Sequence, residues 1–169
     1  MNKTVFQFAA FMILAATFTT VAFSQEEKTA KETNLSFSSG NRTINITRPG
    51  AYRLNDDVNV RNGNGIVITA SNVSLNLNGY SVTTDSGGTG RGIAIAHASG
   101  VSVRNGKVGG FNANVMINNS TNVVVESLQI VGRGLAPNNG PTEIGVLIIN
   151  GRSVAINRKI GRASCRERV

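Results

Sequence analysis

Nine carboxylates, 17 lysines and arginines, one histidine and one cysteine are the groups in this 169-residue chain able to act as acid, base, nucleophile or strong metal ligand. Hydrolysis of a glycosidic bond needs two carboxylates about 5–10 Å apart across the scissile bond. Glu26, Glu27 and Glu32 lie in a polar stretch near the start, Asp56 and Asp57 sit together in a turn, and Glu167 is close to the end. Asp85, Glu126 and Glu143 remain, and Asp85 and Glu143 each occupy an inserted loop, from which they could approach one another. Eliminative cleavage of an acidic polysaccharide needs an Arg or Lys base, for which Arg104 and Lys107 are candidates, and commonly a carboxylate cluster for calcium. The chain shows no cluster of three acids, so no metal site and no cofactor are expected. His97 falls in a turn position, where it is expected to continue a row of polar side chains rather than act as a base. A phosphate-binding loop is not expected, because the G-G-T-G-R-G run at 87–92 lacks the P-loop spacing and precedes no helix. No dense basic run with interleaved aromatics is present, which argues against nucleic acid as a partner.

These residues hang on a repeat. Gly65-Ile-Val-Ile, Gly92-Ile-Ala-Ile, Asn114-Val-Met-Ile and Gly145-Val-Leu-Ile begin four copies at intervals of 27, 22 and 31 residues. Aliphatics recur one and three positions after each start: Ile66/Ile68, Ile93/Ile95, Val115/Ile117 and Val146/Ile148. A second pair follows at nine and eleven, as Val101/Val103, Val123/Val125 and Val154/Ile156; the first copy holds the same run one residue earlier, at Val73, Leu75 and Leu77. Alternation of this kind is the period of a strand, and no sustained helical stripe follows Gln25. A third short run (Tyr80–Val82, Lys107-Val108, Leu128–Ile130) suggests three strands per unit, separated by turns rich in Asn, Gly and Ser. Such a unit buries nothing alone and must stack on copies of itself, with equivalent strands paired in parallel. The longer intervals place two insertions, 83–91 and 132–144, at the same point of the repeat, and insertions on one side of a solenoid often build its binding face.

Both ends are set apart. Residues 1–24 read as a secretory signal, with Lys3 before an apolar stretch and a small-x-small site at Ala22-Phe23-Ser24. An uncleaved membrane anchor is the alternative, and either reading puts the rest outside the cytoplasm: secreted, periplasmic or at the cell surface. After signal cleavage no stable membrane span is expected. Residues 25–45 read as a flexible polar leader. Residues 160–169, I-G-R-A-S-C-R-E-R-V, resemble a translated short-read sequencing adapter at all ten positions, and are expected to be a non-native tail. The formal charge of +8 falls to +6 without that tail and to +5 without Lys3 as well; Cys165 goes with the tail. A mildly cationic remainder favours anionic partners.

The I-T-R-P-G-A-Y-R-L opening at 46–54, followed by S-N-V-S-L-N-L-N-G-Y-S-V at 71–82 and G-V-S-V-R-N-G-K-V-G-G-F at 100–111, resembles the right-handed parallel β-helix repeat family. That family shares its fold with pectate lyases and polygalacturonases, and the resemblance spans 46–157. It implies an all-β, right-handed parallel β-helix over 46–159, of about four to five coils and incomplete at its C-terminal end. The resemblance is to structural motifs, and the Asp-Asp and histidine motifs of polygalacturonases are missing.

Stacking then makes specific expectations. Asn119 and Asn150 should lie one above the other as an amide ladder, with His97 continuing it, and Arg104 should face Glu126 on neighbouring coils. Arg91, Arg104, Lys107 and Arg133, with Asp85 and Glu143, form the candidate binding face for an anionic polysaccharide or cell-envelope polymer. The expected role is binding or structural. The alternative is a polysaccharide lyase or glycoside hydrolase whose catalytic coils lie outside this sequence. The open C-terminal end, near Val154 and Ile156, is expected to self-associate.

Overall fold

The computed structural model describes residues 31–36, 43–84, 90–132, 144–157 and 165–168. Among them there is no helix: fourteen strands make two parallel sheets. The chain opens with β1 (Thr33–Leu35), β2 (Ile44–Ile46), β3 (Gly50–Leu54) and β4 (Val58–Asn59). The first copy of the repeat forms β5 (Ile66–Ile68), β6 (Val73–Asn76) and β7 (Ser81–Thr83). The later copies form β8 (Arg91–Ala96) with β9 (Ser99–Gly109), β10 (Ala113–Asn118) with β11 (Thr121–Val131), and β12 (Ile144–Ile149) with β13 (Arg152–Asn157). Last comes β14 (Cys165–Arg168).

The chain alternates between the sheets. One has the order β14-β12-β10-β8-β5-β2, the other β1-β3-β6-β9-β11-β13, with β4 and β7 leading onto the far half of β9. Every strand therefore pairs with its counterpart one repeat away, the arrangement expected of a β-solenoid. Registers match the repeat residue for residue. Ile66 pairs with Ile93, Ile93 with Val115 and Val115 with Val146 in one sheet. In the other, Val73 pairs with Val101, Val101 with Val123 and Val123 with Val154, which absorbs the one-residue offset of the first copy. These aliphatics face inward between the sheets and form one core, in which Phe111 is the largest fully buried side chain.

Three features depart from the sequence expectations. The second and third strands of two units are not separate: β9 and β11 run 11 residues each and bend at Asn105 (φ 59°) and Ser127 (φ 52°). One left-handed residue turns the strand without breaking the backbone ladder on either side. Thr33–Leu35 and Ile44, placed in the leader, are strand residues, because Leu35 registers with the fully buried Leu54 and Ile44 with Ile66. The segment Cys165–Arg168, placed in the non-native tail, pairs along β12, with Val146 opposite Cys165.

The corners between the sheets explain the Asn-rich spacers. Among the described residues, six of the nine non-glycine residues with positive φ are asparagines (72, 78, 105, 119, 122 and 150), and the others are His97, Ser127 and Ser153. Asn and His tolerate this conformation better than most residues, so a chain that must turn sharply twice per unit selects them. Backbone pairing continues through the corner, as in Thr121 N–H to Ala98 O (3.0 Å) and Arg152 N–H to Ser120 O (3.1 Å).

Candidate functional site

The outer face of the eight-stranded sheet carries Arg104 and Lys107, two of the three described cations among the candidates. Alternation sends Val101 and Val103 inward, so Ser102 and Arg104 point out; beyond the bend at Asn105, Lys107 is outward and Val108 inward. Arg104 is the register partner of Asn76 on one side and of Glu126 on the other. Asn76 in turn registers with Arg53. The result is an outward column Arg53–Asn76–Arg104–Glu126–Asn157, one residue per strand. With strands about 4.8 Å apart, Arg53 and Arg104 stand about 10 Å apart along it. A second column, Ser81–Lys107–Gln129, runs beside it across the bend.

Amides tie these columns to the backbone. Arg53 Nη2 donates to Asn78 Oδ1 (2.7 Å), and Asn78 Nδ2 donates to the Leu54 carbonyl (3.3 Å). Asn76 Oδ1 accepts from the Asn78 backbone N–H (2.9 Å) and from Asn105 Nδ2 (3.4 Å). Arg53 also forms an ion pair with Glu32, Nη1 to Oε2, at 3.9 Å. Both partners are well exposed, which limits its contribution to at most about 1 kcal/mol. Arg104 and Glu126 are neighbours in register, but among the described residues no ion pair joins them.

The candidates divide between the two sheets. Arg104 and Lys107 flank one bend of one strand. Arg91 lies in the other sheet, where its Nε approaches Met116 Sδ at 2.8 Å, over a small outward cluster of Ala94, Ala113 and Met116. Asp85, Arg133 and Glu143 lie outside the described residues. Arg53 was missed by the sequence reading, because the Ile46–Leu54 opening does not align with the four repeats. Its one signal was alternation: Leu54 is inward, so Arg53 is outward.

The described carboxylates are dispersed. Asp57 Oδ1 accepts the Ser81 backbone N–H at 2.7 Å, which commits it to the turn before β4. From β4 to β11 there are three strand steps, by way of β7 and β9. Glu126 and Asp57 are therefore separated by about 14 Å along the stack, beyond the reach of a two-carboxylate glycosidase mechanism. Among the described residues no group of three or more His, Cys, Asp or Glu is placed to hold a metal ion.

The corner after β8, β10 and β12 holds the amide ladder. Asn150 Nδ2 donates to Asn119 Oδ1 at 3.0 Å, and Asn119 Nδ2 stands 3.4 Å from His97 Nε2. All three residues are exposed and left-handed (φ 51°, 45° and 55°). Beside them Ser120 Oγ accepts from the Ala98 N–H at 3.2 Å, and Thr121 Oγ1 donates to Ser99 Oγ at 3.0 Å. This corner is a scaffold of hydrogen bonds between units. No family model, curated protein or solved structure matches the chain.

Proposed function

We propose that the chain is a secreted or cell-surface module with the right-handed parallel β-helix fold, binding anionic polysaccharide or cell-envelope polymer. The observation that carries this reading is the outward column Arg53–Asn76–Arg104, with Lys107 beside it across the bend. Cations repeated along a stack of strands, with amides between them, suit a linear polyanion that offers charge and hydroxyls at intervals. Parallel crossovers are right-handed in the great majority of cases, which supports the handedness. Arg91, on the other sheet, is not required by this reading.

The test is titration of the protein with polygalacturonate and with uncharged dextran at low and moderate salt. Binding to the polyanion that weakens with salt is expected, with none to dextran. Losing two surface contacts of about 0.2–1 kcal/mol each, the Arg104→Ala/Lys107→Ala variant should bind roughly twofold to thirtyfold more weakly. Equal binding of both polymers, or an unchanged affinity in that variant, would sink the reading.

A second reading, a polysaccharide lyase or glycoside hydrolase completed by coils beyond this sequence, draws on Arg104 and Lys107 beside Glu126 as potential base and acid. It predicts new unsaturated or reducing ends when a form of the protein extended by those coils is incubated with the polyanion. A polymer recovered at unchanged length leaves the binding reading in place and removes this one.

A further inference from the structure

The amide ladder has a direction, and His97 stands at the end that sets it. Asn119 spends its carbonyl oxygen on Asn150, accepting from Nδ2 at 3.0 Å. What it turns toward His97 is therefore its Nδ2, an N–H donor, 3.4 Å from His97 Nε2. A donor facing that nitrogen is matched by a bare lone pair there, which is what the Nδ1–H tautomer of the neutral imidazole offers. All three side chains project from left-handed residues in successive units, and this holds them in one row.

Protonation cannot leave this row unchanged. An Nε2–H would point at the Asn119 Nδ2–H2, donor against donor. The row has one rearrangement that restores every bond without moving the backbone: both amides rotate by half a turn. His97 then donates to Asn119 Oδ1, and Asn119 Nδ2 donates to Asn150 Oδ1. Primary amides exchange donor and acceptor ends at nearly constant shape, which makes the reversed row sterically equivalent. We propose that the His97–Asn119–Asn150 ladder is a proton-controlled relay, in which the charge state of His97 sets the hydrogen-bond direction two units away.

The surroundings leave His97 in control. The corner residues aligned with it (69–72, 118–120 and 149–151) carry Thr, Ala, Ser, Asn, Ile and Gly and no ionisable side chain. The charged groups at this stack of corners stand two units from His97 on either side: Arg152, which begins β13 on Asn150's unit and registers with Thr121, and Arg48, between β2 and β3. A consequence follows for any ligand that contacts the corner. It would meet Asn150 presenting its carbonyl oxygen when His97 is neutral, and its N–H2 when His97 is charged, so acidification would convert an acceptor into a donor.

Heteronuclear NMR on the full chain tests this. At high pH the ring nitrogens of His97 should report the Nδ1–H tautomer. As pH falls, the side-chain amide resonances of Asn119 and of Asn150 should shift with the same midpoint as the His97 ring. In Asn119→Gly, which keeps the left-handed backbone and removes the relay, His97 should still titrate while Asn150 stays constant. In His97→Asn both amides should be indifferent to pH. An Nε2–H tautomer at high pH overturns the proposal, as does an Asn150 amide that ignores the His97 titration or still follows it in Asn119→Gly. Should the glycine variant not fold, the tautomer and the two amide titrations of the unaltered chain decide alone.

Discussion

At the scale of single residues, this chain is constrained most where backbones come close. Gly92 is the second residue of β8, and a Cβ there would lie 2.5 Å from the Asn114 backbone carbonyl oxygen and would also strike Val108 and Phe111. Backbone does not yield as a flexible side chain does. Gly92→Ala should therefore cost about 1–3 kcal/mol or more, read as a lowered denaturant midpoint at unchanged slope. A variant as stable as the parent would show that the start of the repeat tolerates a side chain. The next copy places Asn114 at this position, fully buried, with Oδ1 accepting from the Phe111 N–H at 3.2 Å. The recurring glycine was legible in the sequence as the start of three of the four copies. Its reason was not, because Val108, in the second half of β9, and Phe111, just after it, meet Gly92 only once the chain has folded back on itself.

Elements owe their stability to position in the stack. β10 lies between β8 and β12, and its Ile117 is fully buried between Ile95 and Ile148. Among the described residues β13 pairs with β11 alone, and its Ile156 is half-buried, although the aligned Leu75, Val103 and Val125 are buried. Ile117→Ala should accordingly cost about 2–5 kcal/mol, and Ile156→Ala less than half of that, measured by chemical denaturation of both variants. Equal losses would mean that the end unit is as well enclosed as the middle. Alternation in the sequence told inward from outward for both residues. It did not rank them, since burial here depends on a neighbouring unit and not on local pattern.

In the molecule as described, one row of parallel strands ends at β13. Among the described residues nothing pairs with the far edge of β13, which presents unmatched backbone groups beside the half-buried Val154 and Ile156. Edges of this kind template further strands. The chain should therefore associate as its concentration rises, and Val154→Lys, which places a charge at that end, should reduce the association. Light scattering across a dilution series checks this, and a monomer at every concentration would refute it. The small outward cluster on the other sheet, around Met116, makes no such demand, because Ala94, Ala113 and Met116 are each less than a tenth exposed.

Strand type, the inward residues and the register of four copies can be read from residue order alone, because alternation and repeat spacing are local properties that parallel stacking then copies from unit to unit. Residue order also named the Asn119–Asn150 contact and placed His97 in line with it. Only the tertiary structure decided how charges are shared between the faces. It put Arg53 into the column of Arg104 and set Arg91 on the other sheet, since a side chain's neighbours outside the core depend on which strands lie alongside. It also joined the second and third strands through single left-handed residues, a choice made by backbone geometry at Asn105 and Ser127 that composition alone does not encode.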